Sequence, residues 1–300
     1  MPPPAPAPIR EELREAILTW YASRGRTLPF RDTTDPYAIL VSEAMAQQTQ
    51  AARAGETWTR FMATFPTVEA LAHAPPADVL RAWQGLGYNR RAINLQRAAR
   101  VIVDQHGGKV PSDLAALERL PGIGPYTARA VAALAFGVPV GAVDTNVRRV
   151  LGRIVAGDVG LLDTRRMQQV ADGAVPPDRP GFWTHALMDI GATICKPRRP
   201  LCEACPAQPW CRYAPAPPTP EPRSRAVREA AAPFTTTSRW LRGRIVERLR
   251  AASNGEWVEL AVPIGDHDQA AVDRALEALV RDGVVEVDET DPPHRARLPT

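Results

Sequence analysis

The sequence predicts a mainly α-helical protein that ends in a small mixed α and β domain. Three observations carry this reading. From residue 9 to about 213, apolar residues recur at three- and four-residue steps, the signature of amphipathic helices. A stiff Pro-rich stretch, Ala214–Pro222 (APAPPTPEP), then interrupts the pattern. Beyond it, apolar periodicity alternates between helix-like and strand-like segments.

In order, residues 1–8 read as a flexible Pro-rich leader, and residues 9–213 as one large helical domain. Helices are expected at Glu11–Arg24, Tyr37–Gln48, Gly55–Phe65, Thr67–His73, Ala77–Gln84, Arg90–His106, Asp113–Leu120, Tyr126–Phe136, Thr145–Val155 and Trp183–Cys195. Thr67, Ser112 and Asp144 are the expected N-caps, and Gly and Pro mark the stops. After the 214–222 linker, residues 223–300 give helices at Ser238–Ala252 and Asp268–Asp282, strands at Trp257–Val262 and Val284–Asp288, and a last strand near Arg295–Leu298. Helix, strand, helix and β-pair resembles a winged helix. Arg239, Arg242, Arg244, Arg248 and Arg250 lie along the first of these helices. Arg244 and Arg248, four apart, share a face that either tracks a phosphate backbone or pairs with acids such as Glu247 in a solvated helix.

Three hundred residues with a formal charge of +4 permit a nucleic-acid partner without demanding one. No apolar run approaches the roughly 20 residues of a membrane span, and the leader lacks the apolar stretch of a secretory signal. Clustered thiols without spare cysteines fit a reducing, cytoplasmic setting. A monomer is expected. Of the 37 basic residues only Lys109 and Lys196 are lysines, which becomes useful below.

All four cysteines lie in one loop, Cys195-x6-Cys202-x2-Cys205-x5-Cys211. Thiolates are soft donors suited to iron–sulfur clusters and zinc. Zinc ribbons usually present two Cys-x2-Cys knuckles, whereas this uneven spacing wraps one large object. A [4Fe–4S] cluster is therefore favoured, zinc comes second and two disulfides last. Lys196, Arg198 and Arg199 would offset the cluster's charge and point toward polyanions.

Leu120-Pro121-Gly122-Ile123-Gly124-Pro125-Tyr126 lies between two helical stretches. Its glycines allow a tight hairpin, Pro125 suits the first helical turn, and the backbone N–H groups of Gly122 and Gly124 can face a phosphate. By itself this is a helix-hairpin-helix, a device that holds DNA by its backbone. Further on, Asp144 opens the helix carrying Arg148 and Arg149, and on its own would be read as an N-cap.

Hairpin, loop, Asp144 and four-cysteine loop in that order resemble the DNA glycosylases of the endonuclease III superfamily over residues 9–213. Finer motifs resemble the adenine DNA glycosylases, the MutY family: Leu28-Pro29-Phe30-Arg31, Ser42-Glu43-Ala44-Met45-Ala46-Gln47-Gln48-Thr49, Phe65-Pro66-Thr67, Gly85-Leu86-Gly87-Tyr88 and Ala186-Leu187-Met188. The resemblance implies a two-lobed helix-hairpin-helix glycosylase fold with an iron–sulfur loop at 195–211. It implies a double-stranded DNA partner containing adenine mispaired with 8-oxoguanine or guanine. It assigns Glu43 as general acid, its pKa raised on an apolar helix, and Asp144 as counter-charge to an oxocarbenium-like sugar. Tyr126 would orient Glu43, Asn146 would fix Asp144 or a water, and Arg31 would touch the flipped base. Gln48, Thr49, Leu86 and Tyr88 would probe and wedge the duplex. Bifunctional relatives carry at position 126 a lysine that cuts the strand. Tyr126 stands there, and neither Lys109 nor Lys196 is placed to substitute, so a monofunctional enzyme follows.

The chain departs from the family pattern at Phe30, Ala46 and Asn89, where Trp, Leu and Tyr are usual. Residues 223–300 also look too short and too helical for the usual β-rich domain that contacts 8-oxoguanine. Two other readings stay open: a thymine- or uracil-mismatch glycosylase, which tends to lack the Glu, and a non-catalytic iron–sulfur DNA-binding regulator.

Overall fold

The computed structural model describes residues 9–213, 233–288 and 295–300. The leader, the linker and the first part of the tail lie outside the described residues. The helices are α1 (Glu11–Arg24), α2 (Pro36–Ala46), α3 (Ala51–Thr64), α4 (Val68–His73), α5 (Pro76–Ala82), α6 (Arg90–His106), α7 (Leu114–Arg119), α8 (Pro125–Phe136), α9 (Thr145–Ala156), α10 (Thr164–Ala174), α11 (Pro180–Thr193), α12 (Ser238–Ala251) and α13 (Gln269–Arg281). Short strands β1 (Val258–Glu259), β2 (Glu286–Val287) and β3 (Arg295–Arg297) form an antiparallel sheet in the order β1-β3-β2. The tail thus has the expected helix, strand, helix and β-pair.

Local chemistry explains most boundaries. Thr67 and Asp144 cap α4 and α9, accepting from the Ala70 and Val147 amides. The cap of α7 is Asp113 rather than Ser112: its carboxylate accepts from the Ala116 amide at 2.9 Å. Helix α3 begins at Ala51, four residues before the expected Gly55, which is buried inside it. Helix α10 was not expected. Only Met167, Val170, Ala171 and Ala174 of its 11 residues are buried, so its apolar stripe is thin, although Asp163 caps it.

The described residues form two compact units. One comprises the chain up to Glu43 together with Val110–Tyr213, and the other comprises Ala44–Lys109 together with the described tail. In the first, α11 packs against α1, α8 and α9, burying a core that includes Ile17, Leu151, Met167, Trp183 and Ile190. In the second, α6 packs against α4 and α5, and Phe61 meets Phe65 and Trp83 edge-on.

Within this second unit, polar contacts hold the tail to α5 and its flanks. Arg81 Nη2 donates to the Ala252 carbonyl at 2.6 Å, Arg250 Nε to the Leu80 carbonyl at 3.0 Å, and the Ala77 amide to the Pro299 carbonyl at 3.0 Å. Of the arginines along α12, Arg244 pairs with Glu247 at 2.7 Å and Arg250 is turned inward.

Candidate active site

Helix α2 is apolar along most of its length, and Tyr37 through Met45 are all buried. Glu43 is the one acid among them, at 7% exposure. Burial pushes its carboxyl up to about 7. A hydrogen bond from the Tyr126 phenol pulls it down, the charge of Asp144 pushes it up, and Arg31 pulls it down. Burial also holds the Tyr126 phenol well above its ordinary range, so it remains a proton donor, and its Oη lies 3.9 Å from Met188 Sδ.

Tyr126 occupies the first turn of α8, where the hairpin sets it. Gly122 has φ +78°, a left-handed conformation that favours glycine, Gly124 is the N-cap and Pro125 opens the helix. Both glycines are exposed.

Asp144 both caps α9 and stands within electrostatic reach of Glu43. Its Oδ1 accepts from the Val147 amide at 2.6 Å and its Oδ2 from Asn146 Nδ2 at 3.2 Å. Asn146 is itself held, since Arg149 Nη2 donates to Asn146 Oδ1 at 2.7 Å. Arg149 continues to the Gly191 carbonyl at 2.7 Å and the Cys195 carbonyl at 2.6 Å. Any side chain at Gly191 would meet Asn146 Cβ at 2.6 Å, so glycine is required for α11 to approach here.

Arg31, expected to touch a flipped base, is committed elsewhere. Its two terminal nitrogens each donate to Asp189 at 2.7 Å, and its side chain is only 6% exposed. Asp189, fully buried, also accepts from the Arg26 amide and side chain. The Arg31 charge still acts on Glu43. Nearby, burial followed by the Arg31 charge pushes His185 down to about 3, so it stays neutral.

The expected duplex-probing residues gather in the second unit. Among the described residues only Gln48 (φ +54°), Tyr88 (φ +47°) and Arg199 (φ +51°) are non-glycine residues with positive φ, a conformation that costs about 1 kcal/mol or more and persists where surroundings impose it. Arg91 bonds the backbone beside Gln48 and Tyr88, and sequence reasoning passed over this residue. Its Nη1 donates to the carbonyls of Ala44 (3.0 Å), Met45 (3.1 Å) and Gln47, and its Nη2 to Thr49 Oγ1 (3.1 Å), Leu86 O and Gly87 O (both 3.2 Å). One guanidinium thereby ties the 46–50 loop to the 85–89 loop. Tyr88 is 42% exposed, whereas Leu86 is buried.

Cys195, Cys202, Cys205 and Cys211 all line one pocket, together with Arg153, Ile194, Pro200, Gln208 and Tyr213. Arg153 Nη1 lies 3.4 Å from Cys195 Sγ and donates to the Lys196 carbonyl at 2.8 Å. Burial pushes the Cys205 thiol up to about 11, so a metal bound there would have to displace its proton. Four soft donors with an adjacent cation fit an anionic metal–sulfur centre. Lys196, Arg198 and Arg199 are exposed on this loop.

Residues 41–165 match the family model described as HhH-GPD superfamily base excision DNA repair protein. An adenine DNA glycosylase of Mycobacterium tuberculosis is 43% identical over 282 residues, covering 90% of this chain and 88% of that protein. Among solved structures, one titled as a thermostable thymine-DNA glycosylase superposes with a TM-score of 0.63 at 32% identity, covering 68% of this chain and 96% of its own. An endonuclease III in non-covalent complex with DNA superposes with a TM-score of 0.57 at 25% identity, covering 67% and 92%.

Proposed function

From the premise that the chain belongs to the adenine DNA glycosylases of the HhH-GPD superfamily, we propose that it removes adenine mispaired with 8-oxoguanine or guanine and leaves an intact abasic strand. The observation that supports this reading best is the pairing of two carboxyls with opposite environments in one unit. Glu43 is buried on an apolar helix with its carboxyl raised to about 7, and Asp144 is fastened by Val147 and Asn146 as its neighbour.

In this mechanism the adenine is turned out of the stack. Glu43 delivers its proton to a ring nitrogen of the base as the glycosidic electron pair withdraws into the ring. The sugar becomes oxocarbenium-like, and the Asp144 carboxylate stabilises the developing positive charge, directly or through a transient covalent adduct. Water then adds at the sugar carbon and loses a proton, giving the abasic product. Tyr126 keeps Glu43 oriented and offers no amine for strand cleavage. Asn146 orients Asp144. Glu43 favours adenine over a pyrimidine mismatch, because a pyrimidine can leave as an anion without ring-nitrogen protonation.

Gln48, Thr49 and Tyr88 probe the duplex, and Gly122 and Gly124 hold its phosphates through backbone N–H groups. Cys195, Cys202, Cys205 and Cys211 would hold a [4Fe–4S] cluster, and the bound cluster would order the loop that carries Lys196, Arg198 and Arg199. The enzyme works as a cytoplasmic monomer on nucleoid DNA.

The test is a nicking assay on duplexes with adenine opposite 8-oxoguanine, guanine or cytosine, with and without alkali. Alkali-dependent cutting opposite 8-oxoguanine or guanine is expected. Cutting before alkali with a borohydride-trapped complex would overturn the monofunctional reading, release of thymine or uracil instead would overturn the substrate, and no release of any base would favour the regulator. Zinc without iron or sulfide in the purified protein would overturn the cluster.

A further inference from the structure

The loop Gly85–Asn89 is strained and reaches the surface at its tip. Gly85 (φ +91°), Gly87 (φ +66°) and Tyr88 (φ +47°) are all left-handed, and the Tyr88 ring is 42% exposed. A loop of this kind drifts unless its neighbours hold it, and every conformer lost on binding weakens affinity. Arg91 fixes its base from below. Its tip is held by the C-terminal domain.

The contacts come from one face of α12. Arg239 and Arg250 are eleven residues apart, which at about 100° per residue brings them back within about 20° of each other. The Arg239 guanidinium lies over the Tyr88 ring at 4.3 Å from its centroid, closer than Arg91 at 5.6 Å. Arg250 Nη2 donates to Asn89 Oδ1 at 2.8 Å, while its Nε is anchored on the Leu80 carbonyl. Asn89 is the position where the resemblance leads one to expect tyrosine. An asparagine there supplies the acceptor that Arg250 uses.

We propose that α12 is a positioning element for mismatch recognition: Arg239 holds the Tyr88 ring and Arg250 holds Asn89, so that the C-terminal domain acts through the 85–89 loop. This rests on the reading of Tyr88 as the residue that enters the duplex. Arg239 is exposed and stays against the ring as it meets a base, while the Arg250–Asn89 bond keeps the loop's shape.

The experiment uses the full-length protein as Y88A, R239A and the double variant, with duplexes carrying adenine opposite 8-oxoguanine and fully matched duplexes. An exposed cation–π contact corresponds to roughly a two- to fivefold effect. R239A is expected to raise KM for the mismatch by about that factor, leaving kcat, matched-duplex affinity and thermal unfolding near wild type. Y88A is expected to lose more, and the double variant no more than Y88A alone. Additive losses, or an equal loss on matched DNA with a flatter salt dependence, would mean that Arg239 grips phosphate, and would overturn the proposal. So would tighter mismatch binding by R239A, or wild-type behaviour of R239A beside an impaired Y88A. A silent Y88A would remove the reading of Tyr88 itself, and the proposal with it.

Discussion

Arg149 Nη2 donates to Asn146 Oδ1 at 2.7 Å, and the same side chain holds the carbonyl of Cys195. Asn146 turns its amide toward Asp144 because its oxygen is already taken. The orientation of Asp144, the carboxylate proposed to stabilise the sugar, thus depends on a buried arginine that also grips the cysteine loop. Arg149→Lys keeps the charge but cannot reproduce this fork. Turnover is expected to fall about 100-fold, the scale of a misplaced reacting group, with duplex affinity within about twofold of wild type. Single-turnover kinetics beside a binding titration checks this, and unchanged turnover would detach Arg149 from the site.

Asp144→Asn separates the two tasks of that residue. Asparagine is as good an N-cap as aspartate, so the bond from the Val147 amide survives and α9 stays folded. The counter-charge disappears. Turnover should drop by roughly 1000-fold or more while mismatch binding and thermal unfolding stay near wild type. Activity close to wild type would leave Asp144 as a helix cap only.

Glu43 makes a pH prediction with a definite sign. Its carboxyl moves from the ordinary 4.5 up to about 7 in the folded protein, chiefly by burial. The acid form, the proposed proton donor, is present below about 7, so the single-turnover rate should fall about tenfold per pH unit above it. Stability follows the same shift. Between 4.5 and about 7 the unfolded chain loses this proton while the folded chain keeps it, so folding becomes less favourable as pH rises, by a total of about 3 kcal/mol. Glu43→Gln should abolish adenine release yet be the more stable protein above pH 7, by a margin that opens across that window. Parallel stability curves for the two proteins would refute the raised pKa.

Much of this was written in the sequence, because the informative residues impose local geometry. Asp144 and Thr67 cap where expected, and Gly122 turns with positive φ where expected, while Gly124 stays extended as the N-cap of α8. Glu43 stood out because an acid inside an apolar helix has no cheap place to go. Other features were hidden. Helix α10 has too thin a stripe, and Gly55 looked like a helix boundary while serving as a buried helical residue. Asp189 and Arg149 carry no signal in the sequence for the partners the fold brings to them, Arg31, Asn146 and the Cys195 carbonyl. Partnerships across more than a hundred residues, such as Arg31 with Asp189, leave no periodic signal.

Arg91 is the clearest case of a residue whose importance lies in acceptors that sequence cannot pair with it. Burial lowers its pKa to about 10, still high enough to keep the charge at neutral pH, and its Nε is buried without a partner. A buried cation is tolerated because the carbonyls of Ala44, Met45, Gln47, Leu86 and Gly87 and the Thr49 hydroxyl accept from it. Arg91→Lys retains the charge as a point with three donors and cannot span both loops. Carbonyls left unpaired should cost about 2–4 kcal/mol of stability. Gln48 and Tyr88 should then leave their left-handed conformations, and mismatch binding should weaken more than matched-duplex binding. Thermal unfolding together with paired titrations on mismatched and matched DNA tests both effects. A variant that loses stability while keeping its full preference for the mismatch would show that the two loops hold their shape without this arginine.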